Sequence, residues 1–324
     1  MVVGQVVSGI NNIYQVRVSL KGLYLEKNPL APCSDFRLIE CRIKGKVLSE
    51  KDRSYNPIAP GDRVFISIDL QSPDKGWILE KKKRYSAVRR WNRKRQAIQT
   101  MAANIELLLA VTTVKSPPFR PRFIDRVLLA GELSGVEPVI ILNKVDLGKN
   151  DQIVKRINYY RKINYRIFEC STVTGEGLEN LSQNLRNKGM SVLIGQSGVG
   201  KSSILNSLDK SLNRSVGDIS SKHDRGVHTT RFGEMIQTTS GQLIIDTPGI
   251  REFQVTDIEP HELRLWYRDF LPFVEKCHLP SCLCVQEPGC SVRLALESGK
   301  IHPDRYLGYC RLLKELQDAK SERR

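Results

Sequence analysis

Three short motifs occur in an unusual order, and that order constrains the fold of this chain more than any other feature. The tetrapeptide NKVD at Asn143–Asp146 is typical of guanine recognition and comes first. A complete phosphate-loop pattern, GQSGVGKS at Gly195–Ser202, follows it, and DTPG at Asp246–Gly249 comes last. In the usual GTP-binding domain the phosphate loop leads and the guanine motif trails. A compact domain tolerates such a cut when its ends lie close together at the surface, so the order predicts a circularly permuted GTP-binding domain.

The phosphate loop lies in the context that its chemistry requires. An apolar strand pattern at Met190–Ile194 precedes it, and a helical pattern at Ser203–Leu208 follows it. Glycines allow backbone N–H groups to face phosphates at a helix N-terminus. Lys201 then supplies a cation for the β- and γ-phosphate oxygens, and Ser202 supplies a ligand for Mg²⁺.

The two other motifs supply the remaining nucleotide contacts. We expect Asp246 to hold the magnesium shell through water and Gly249 to offer its N–H to the γ-phosphate. The Asp146 carboxylate accepts from N1–H and the amino group of guanine, a donor pair that adenine lacks. Ser171, after a short strand pattern, fits the loop that supports the base. The candidate nucleotide-binding residues are Asn143, Lys144, Val145, Asp146, Ser171, Gly195, Gln196, Ser197, Gly198, Val199, Gly200, Lys201, Ser202, Ser203, Asp246 and Gly249.

The segment Asp224–Arg231 falls where a switch that senses the γ-phosphate must lie. Thr229 or Thr230 completes the magnesium coordination, and the sequence does not choose between them. Many GTPases place a Gln where this chain has Ile250, and an aliphatic side chain cannot orient the attacking water. His228 is the candidate to orient or activate it, with a plain solvent-exposed loop residue as the alternative. The catalytic candidates are therefore His228, Lys201, Thr229 and Thr230.

Four of the eight cysteines fall within fourteen residues, at Cys277, Cys282, Cys284 and Cys290. Four soft ligands in a short loop predict a closed tetrahedral Zn²⁺ site, which is structural because it leaves no position for water. His278 competes for a place, but ligation together with its neighbour Cys277 is strained.

The patterns along the 324 residues predict a multidomain α/β protein. Residues 1–85 show about five short strand patterns, which predict an OB-type β-barrel that binds RNA; a barrel that only packs on its neighbour is the alternative. Residues 86–258 alternate buried strand patterns with helical patterns, which predicts a permuted P-loop GTPase domain with a mostly parallel sheet and flanking helices. Helical patterns at 261–270 and 303–324 flank the cysteines, so residues 259–324 are expected to form a helical zinc-binding domain.

A formal net charge of +16 indicates a polyanionic partner. The segment 81–95 holds nine Lys or Arg and no acid, with two aromatic residues among them. We interpret it as a basic connector that binds nucleic acid; a solvated face and an anionic membrane surface are the alternatives. No apolar run is long enough for a membrane helix and no secretory signal is visible. We therefore expect a cytoplasmic monomer without a membrane partner.

On these motifs the chain resembles the circularly permuted bacterial GTPases of ribosome assembly, the ribosome small-subunit-dependent GTPase A family. The resemblance covers nearly the whole length, and its matching segments are 102–104, 123–126, 143–147, 195–203, 226–230, 246–253 and 287–290. It implies binding to the small (30S) ribosomal subunit and its 16S rRNA late in maturation, subunit-stimulated hydrolysis of GTP to GDP and phosphate, and release afterwards. Family members commonly have a His as the third metal ligand, where this chain has Cys284. The alternative is an RNA-binding module or rRNA chaperone in which GTP is mainly a structural or sensing ligand.

Overall fold

The computed structural model describes residues 1–19, 35–44, 55–92, 95–186, 188–213, 233–255 and 258–321. The predicted switch lies outside these residues, and with it the candidates His228, Thr229 and Thr230. Within the described residues the predicted fold class is confirmed: a barrel, a mostly parallel sheet with helices, and a helical C-terminal region that carries the four cysteines.

Five strands close the N-terminal barrel in the order β1-β2-β3-β5-β4. Their bounds are β1 Val2–Ile10, β2 Ile13–Ser19, β3 Phe36–Ile43, β4 Arg63–Ile68 and β5 Lys75–Lys81. Apolar residues alternate along the strands, as a period of two requires, and the inward set forms one core that includes Val6, Val16, Ile39, Val64 and Ile78.

The basic segment, which we predicted to be a connector, contains regular structure. It enters a hairpin of β6 (Ala87–Asn92) and β7 (Ala97–Ala103). Val88 and Ala102 pair across the hairpin and are fully buried in the core below the sheet. The many Lys and Arg residues obscure the strand pattern of this segment, because Val88 is the only buried position of β6.

A six-stranded sheet in the order β10-β9-β8-β11-β13-β12 forms the centre of the described chain. Its strands are β8 Leu107–Thr113, β9 Glu137–Asn143, β10 Arg166–Glu169, β11 Met190–Gly195, β12 Glu234–Gln237 and β13 Leu243–Asp246. All pairings are parallel except that of the edge strand β12. The permutation is visible here, since the three strands that precede β11 in the chain lie on one side of it and the two that follow lie on the other.

Helices cover both faces of this sheet. The α-helices are α1 Pro121–Leu133, α2 Asp151–Lys162, α3 Leu178–Arg186, α4 Lys201–Leu208, α5 Leu271–Val274, α6 Ser291–Glu297 and α7 Pro303–Ser321. Helices α3 and α4 pack on one face through Leu181, Leu185 and Ile204. On the other face α1 and the C-terminal region share a core with the sheet, which includes Ile245, Phe270 and Tyr309.

The helical pattern predicted at 261–270 is only partly helical. A 3₁₀ helix spans Pro260–Trp266 and ends because Tyr267 is extended, with φ −96° and ψ 109°. The Tyr267 ring is buried between Phe270 and Tyr309, at centroid distances of 5.1 and 5.3 Å. Packing of these rings therefore overrides the local helical preference. No described helix has the length and apolarity needed to cross a membrane.

Candidate nucleotide site and cysteine cluster

The phosphate loop joins the end of β11 to the start of α4. Gly198 and Gly200 have φ values of +79° and +94°, in the region that side-chain-bearing residues rarely adopt. A Cβ on Gly200 would lie 2.3 Å from Nδ2 of Asn143, so only glycine fits there. Ser197 and Gly198 are exposed at the tip, whereas Val199 is buried beneath them. The loop therefore presents main chain to solvent at the N-terminus of α4.

The guanine motif is bonded directly to the phosphate loop. Asn143, fully buried at the end of β9, donates from Nδ2 to the Val199 carbonyl at 3.0 Å. Lys144 donates from Nζ to the Gly198 carbonyl at 2.8 Å, and also to the Ser116 carbonyl. No sequence pattern indicated a role for Ser116, whose loop follows β8. Two of the predicted base-reading residues thus hold the loop that is predicted to bind phosphate.

Asp146 and Ser171 lie on the neighbouring loops. Asp146 is exposed in a short 3₁₀ turn, Val145–Leu147, and the Val145 N–H donates to the Cys170 carbonyl at 3.2 Å. Ser171 is buried, and its Oγ accepts from the N–H groups of the two residues that follow Thr172, at 3.2 and 3.1 Å. The Ser171 hydroxyl therefore shapes its loop, while the Asp146 carboxylate remains open to solvent.

Lys201 is folded onto its own loop. Its Nζ donates to the carbonyls of Gly195 and Gln196 at 2.9 and 3.1 Å, and its side chain is buried. Burial lowers the pKa of Lys201, and the nearby Asp246 carboxylate partly opposes that shift. Asp246 is itself buried at the end of β13. The cation and the carboxylate predicted to serve phosphate and Mg²⁺ therefore share one buried corner, with Ser202 half-buried beside Lys201 at the start of α4.

The DTPG segment packs against the phosphate loop. A Cβ on Gly249 would lie 2.8 Å from the Ser197 nitrogen, and the Ile250 N–H donates to the Gly195 carbonyl at 3.1 Å. The Ile250 side chain is 4 % exposed and belongs to the core shared by the sheet and the C-terminal region. Ile250 therefore connects the nucleotide site to that core through apolar contact, a role the sequence did not indicate.

The four clustered cysteines converge as the spacing predicted. All four sulfurs lie within 4.8 Å of one another. Cys277 and Cys290 are 3.9 Å apart at Sγ, and Cys282 and Cys284 are 3.8 Å apart. A tetrahedral ion with metal–sulfur bonds of about 2.3 Å has sulfur–sulfur edges of about 3.8 Å, so this arrangement fits one metal ion. His278 is exposed and is not part of the convergent set.

A rigid frame surrounds the cysteines. The Glu287 carboxylate accepts from the N–H groups of Leu283 and Val285 at 2.5 and 2.9 Å. Burial raises the pKa of Glu287, but these and other backbone donors outweigh it and lower the pKa overall. Tyr306 and Tyr309 on α7 donate from their hydroxyls to main-chain carbonyls of the loop at 2.8 and 2.6 Å. The loop is thus fastened to the longest helix of the described C-terminal region.

A buried cluster of charges joins the C-terminal region to the nucleotide-binding sheet. Arg305 on α7 donates to Asp125 on α1 at 2.6 Å and to Asp269 at 2.9 Å. Asp125 also accepts from Arg156 on α2 at 2.5 Å. Burial lowers the pKa of Arg305, but Asp269 and Asp125 outweigh it and raise that pKa well above its ordinary value. Residues 180 positions apart in sequence form this cluster, so no local pattern indicates it.

Comparison with known proteins agrees with this geometry. The family model described as RsgA GTPase matches residues 81–256. The chain belongs to the RsgA GTPase family. A relative from Borreliella afzelii (strain PKo), named small ribosomal subunit biogenesis GTPase RsgA, is 36% identical over 317 residues, 98% of this chain and 97% of the relative. A relative of the same name from Caldanaerobacter subterraneus subsp. tengcongensis is 36% identical over 88% of this chain and 91% of its own length.

Two solved structures share the fold of this RsgA-family GTPase along nearly its whole length. YjeQ from Thermotoga maritima is 29% identical, with a TM-score of 0.70 over 97% of this chain and 98% of that one. YloQ, described as a circularly permuted GTPase, is 26% identical, with a TM-score of 0.66 over 98% of this chain and 96% of that one. The predicted resemblance to permuted GTPases is therefore confirmed, and the chain is a GTPase.

Proposed function

We propose that this chain is a GTPase of small ribosomal subunit biogenesis that binds the subunit and hydrolyses GTP upon it. The observation that carries the proposal is the match to relatives of that name along 98% of the chain, joined to a phosphate loop that is hydrogen-bonded to the guanine motif. Either alone would indicate less, because a nucleotide site does not identify a partner.

The geometry supports a division of labour among the predicted site residues. Asn143 and Lys144 hold the phosphate loop, and Asp146 reads guanine from its exposed turn. When GTP binds, the Lys201 ammonium group exchanges its hydrogen bonds to the two loop carbonyls for hydrogen bonds to the β- and γ-phosphate oxygens, since phosphate oxygens are stronger acceptors than carbonyls. Mg²⁺ supplies charge neutralisation at the phosphates, and Ser202 and Asp246 would hold it.

The switch completes this mechanism in the proposal. Thr229 or Thr230 closes the magnesium shell, and His228 orients the attacking water. Ile250 supports the assignment indirectly, because its buried side chain leaves no group of its own for that task.

The proposed contacts with 16S rRNA come from three parts of the chain: the barrel domain (residues 1–85), the basic segment 81–95 at the start of the GTPase domain (residues 86–258), and the zinc-binding domain (residues 259–324). Within the basic segment, Arg84 forms an ion pair with Asp62 at 2.6 Å, so its charge is neutralised within the protein. Lys83, Arg89 and Arg95 are exposed, so these are the cations we assign to RNA. The four cysteines would hold Zn²⁺, which stabilises the third domain. The protein acts as a monomer in the cytoplasm, where its ribosomal partner is assembled.

Nucleotide state is proposed to control affinity for the subunit through the segment after Gly249. The Phe253 side chain is 1 % exposed within the core that the sheet shares with the C-terminal region. Three residues of chain therefore separate the site beside the γ-phosphate from a ring in that core. A change in the site can be transmitted along this path to an RNA-binding surface.

The test is GTP turnover by the full chain, alone and with small subunits, large subunits or free rRNA. We expect basal turnover on the order of 10⁻⁴ to 10⁻³ s⁻¹, as for an unassisted small GTPase. Small subunits should stimulate this turnover strongly, whereas large subunits and free rRNA should not. His228→Ala should lose about 10²- to 10⁴-fold of the stimulated rate and still bind GTP and subunits. Equal stimulation by all three additions, or none, would favour an RNA-binding module with incidental turnover.

A further inference from the structure

A cleft of about 550 Å³ opens beside the phosphate loop. Its walls are the start of α1, the segment 251–254, one side of α7, and the side chain of Gln196 from the loop itself. The β6 strand holds the segment in place, because the Trp91 N–H donates to the Gln254 carbonyl at 3.1 Å. The cleft therefore lies between the nucleotide site and the C-terminal region.

Positive charge is in excess on these walls. Arg122 is paired with Asp304 at 3.1 Å, and Arg126 is paired with Glu315 at 2.5 Å. The exposed side chains of Arg120 and Arg251 make no hydrogen bond or ion pair with any other residue in the described ranges. The Glu252 carboxylate also lines the cleft, so its four arginines and three acids leave an excess of one positive charge. The guanidinium groups of Arg120 and Arg251 are the ones available to an anion.

Gln196 supplies a polar group to the cleft. Its side chain is 8 % exposed and lines the cleft, yet within the described part of the chain its amide has no hydrogen-bond partner. Only its main-chain carbonyl is engaged, by Lys201 at 3.1 Å. The amide is not fully enclosed by the described residues, so it is open to the cleft and can donate a hydrogen bond to a polar ligand there.

The cleft also adjoins the place where the reaction forms its product. Water adds to the γ-phosphorus of GTP and the bond to the β–γ bridging oxygen breaks, which yields GDP and orthophosphate. Gly249, predicted to contact the γ-phosphate, packs on Ser197, and Arg251 follows it by two residues. Gln196, in the phosphate loop itself, and Arg251 both line the cleft, so the cleft borders the place where orthophosphate would form.

We propose that the cleft is a binding site for the orthophosphate that GTP hydrolysis releases, with Arg120 and Arg251 as its cationic ligands and the Gln196 amide as a donor. A doubly charged oxyanion matches guanidinium groups in charge and geometry. The N-terminus of α1 at Pro121 adds positive potential from the helix dipole. No acidic residue in the first turn of this helix offsets that potential. This site rests on the proposed GTPase function and assigns a path to its product.

The first experiment measures binding of ³²P-labelled orthophosphate to the full chain loaded with Mg²⁺ and a GTP analogue whose β–γ bridge is an imido group. The analogue fills the γ-phosphate position, so bound orthophosphate must lie elsewhere. Arg120→Ala and Arg251→Ala should each weaken binding about 10- to 100-fold, the effect of one charge-assisted hydrogen bond. Arg42→Ala, which removes an exposed arginine from the barrel strand β3, is the control and should leave binding unchanged.

The second experiment distinguishes free phosphate from a phosphodiester of RNA. A single-stranded oligonucleotide should not displace labelled orthophosphate, and its own affinity should not depend on Arg120 or Arg251 more than on Arg42. No phosphate binding, equal binding in all variants, or arginine-dependent binding of the oligonucleotide alone would overturn the proposal. If GTP turnover on small subunits is intact in that case, only the cleft assignment fails; if GTP binding itself is absent, the proposed function fails with it.

Discussion

The nucleotide site and the cysteine cluster are held together in opposite ways. In the nucleotide site the contacts run between loops, from Asn143 to Val199 and from Ile250 to Gly195, and every loop begins at the end of a buried strand. In the cluster, the sulfurs of Cys277 and Cys290 approach to 3.9 Å within a loop that has little regular structure of its own.

The difference teaches which site depends on its ligand. The sheet fixes the nucleotide loops, so loss of nucleotide should change affinity and leave the fold in place. The cysteine loop has a frame, built by Glu287 and two tyrosines, and we propose that a metal ion bound by the four cysteines stabilises their convergence. On this proposal the fold forms the nucleotide site, whereas the metal ion stabilises the fold of the cysteine loop.

Metal removal should give the largest effect. A structural zinc site contributes about 10–16 kcal/mol of apparent binding free energy, which is folding free energy for the part that it organises. Chelation should therefore unfold residues 259–324, whereas release of nucleotide held at a hundredfold excess over Kd should cost only about 2.7 kcal/mol. Metal analysis together with limited proteolysis before and after chelation checks this. A C-terminal region that stays protease-resistant without metal would contradict it.

Arg305→Met should give the next largest effect, because it leaves Asp125 and Asp269 buried without their shared cation. Removal of one partner of a buried pair costs about 3–5 kcal/mol. Arg122→Met is the matched control: it breaks a half-exposed pair with Asp304, which should cost at most about 1 kcal/mol. Denaturant unfolding of the two variants compares them. Similar losses in both would show that the buried cluster does not hold the two regions together.

How far the sequence predicts this molecule depends on how local each signal is. The buried runs that became β8, β9, β11 and β13 were recognisable because a parallel strand covered on both faces is apolar throughout. The four cysteines were equally clear, because fourteen residues hold the whole site.

The features that the sequence did not predict depend on contacts between residues distant in the chain, or have an apolar pattern that charged residues obscure. The arginines of β6 obscured the apolar pattern of the hairpin β6–β7, and the edge strand β12 has only two buried residues among its four, whereas all four residues of β13 are buried. Asp125 and Arg305 are individually ordinary charged residues on helices, and only tertiary packing makes them a pair. Ile250 was predicted to be unable to orient water because its side chain is aliphatic; its place in the shared core was not predicted, because it depends on contacts with the C-terminal region.

Gly200→Ala should give a smaller effect confined to the nucleotide site. The new methyl group would overlap Nδ2 of Asn143, and a left-handed backbone costs about 1–2 kcal/mol for a residue with a Cβ. We expect GTP binding to weaken about 10- to 100-fold. Gly135→Ala is the control, because Gly135 also has a positive φ of +62° but has open space around it. Nucleotide titration checks the pair, and unchanged binding in Gly200→Ala would contradict the assigned loop geometry.

The smallest expected effect is a dependence of stability on pH at the interface of the two regions. His302 accepts through Nδ1 from Arg156 at 3.0 Å and from the Asp304 N–H at 3.2 Å. Burial, and then the Arg156 charge, lower the pKa of His302 below 6.5, although Asp304, Asp125 and Asp269 oppose this. The unfolded chain therefore binds a proton at higher pH than the folded chain does, and stability should fall as pH drops through 6.5 toward the folded pKa. His302→Gln should flatten that part of the stability profile between pH 8 and 5, measured by thermal unfolding. His261→Gln, a change at an exposed histidine, should leave the profile unaltered, and equal flattening by both would place the pH dependence elsewhere.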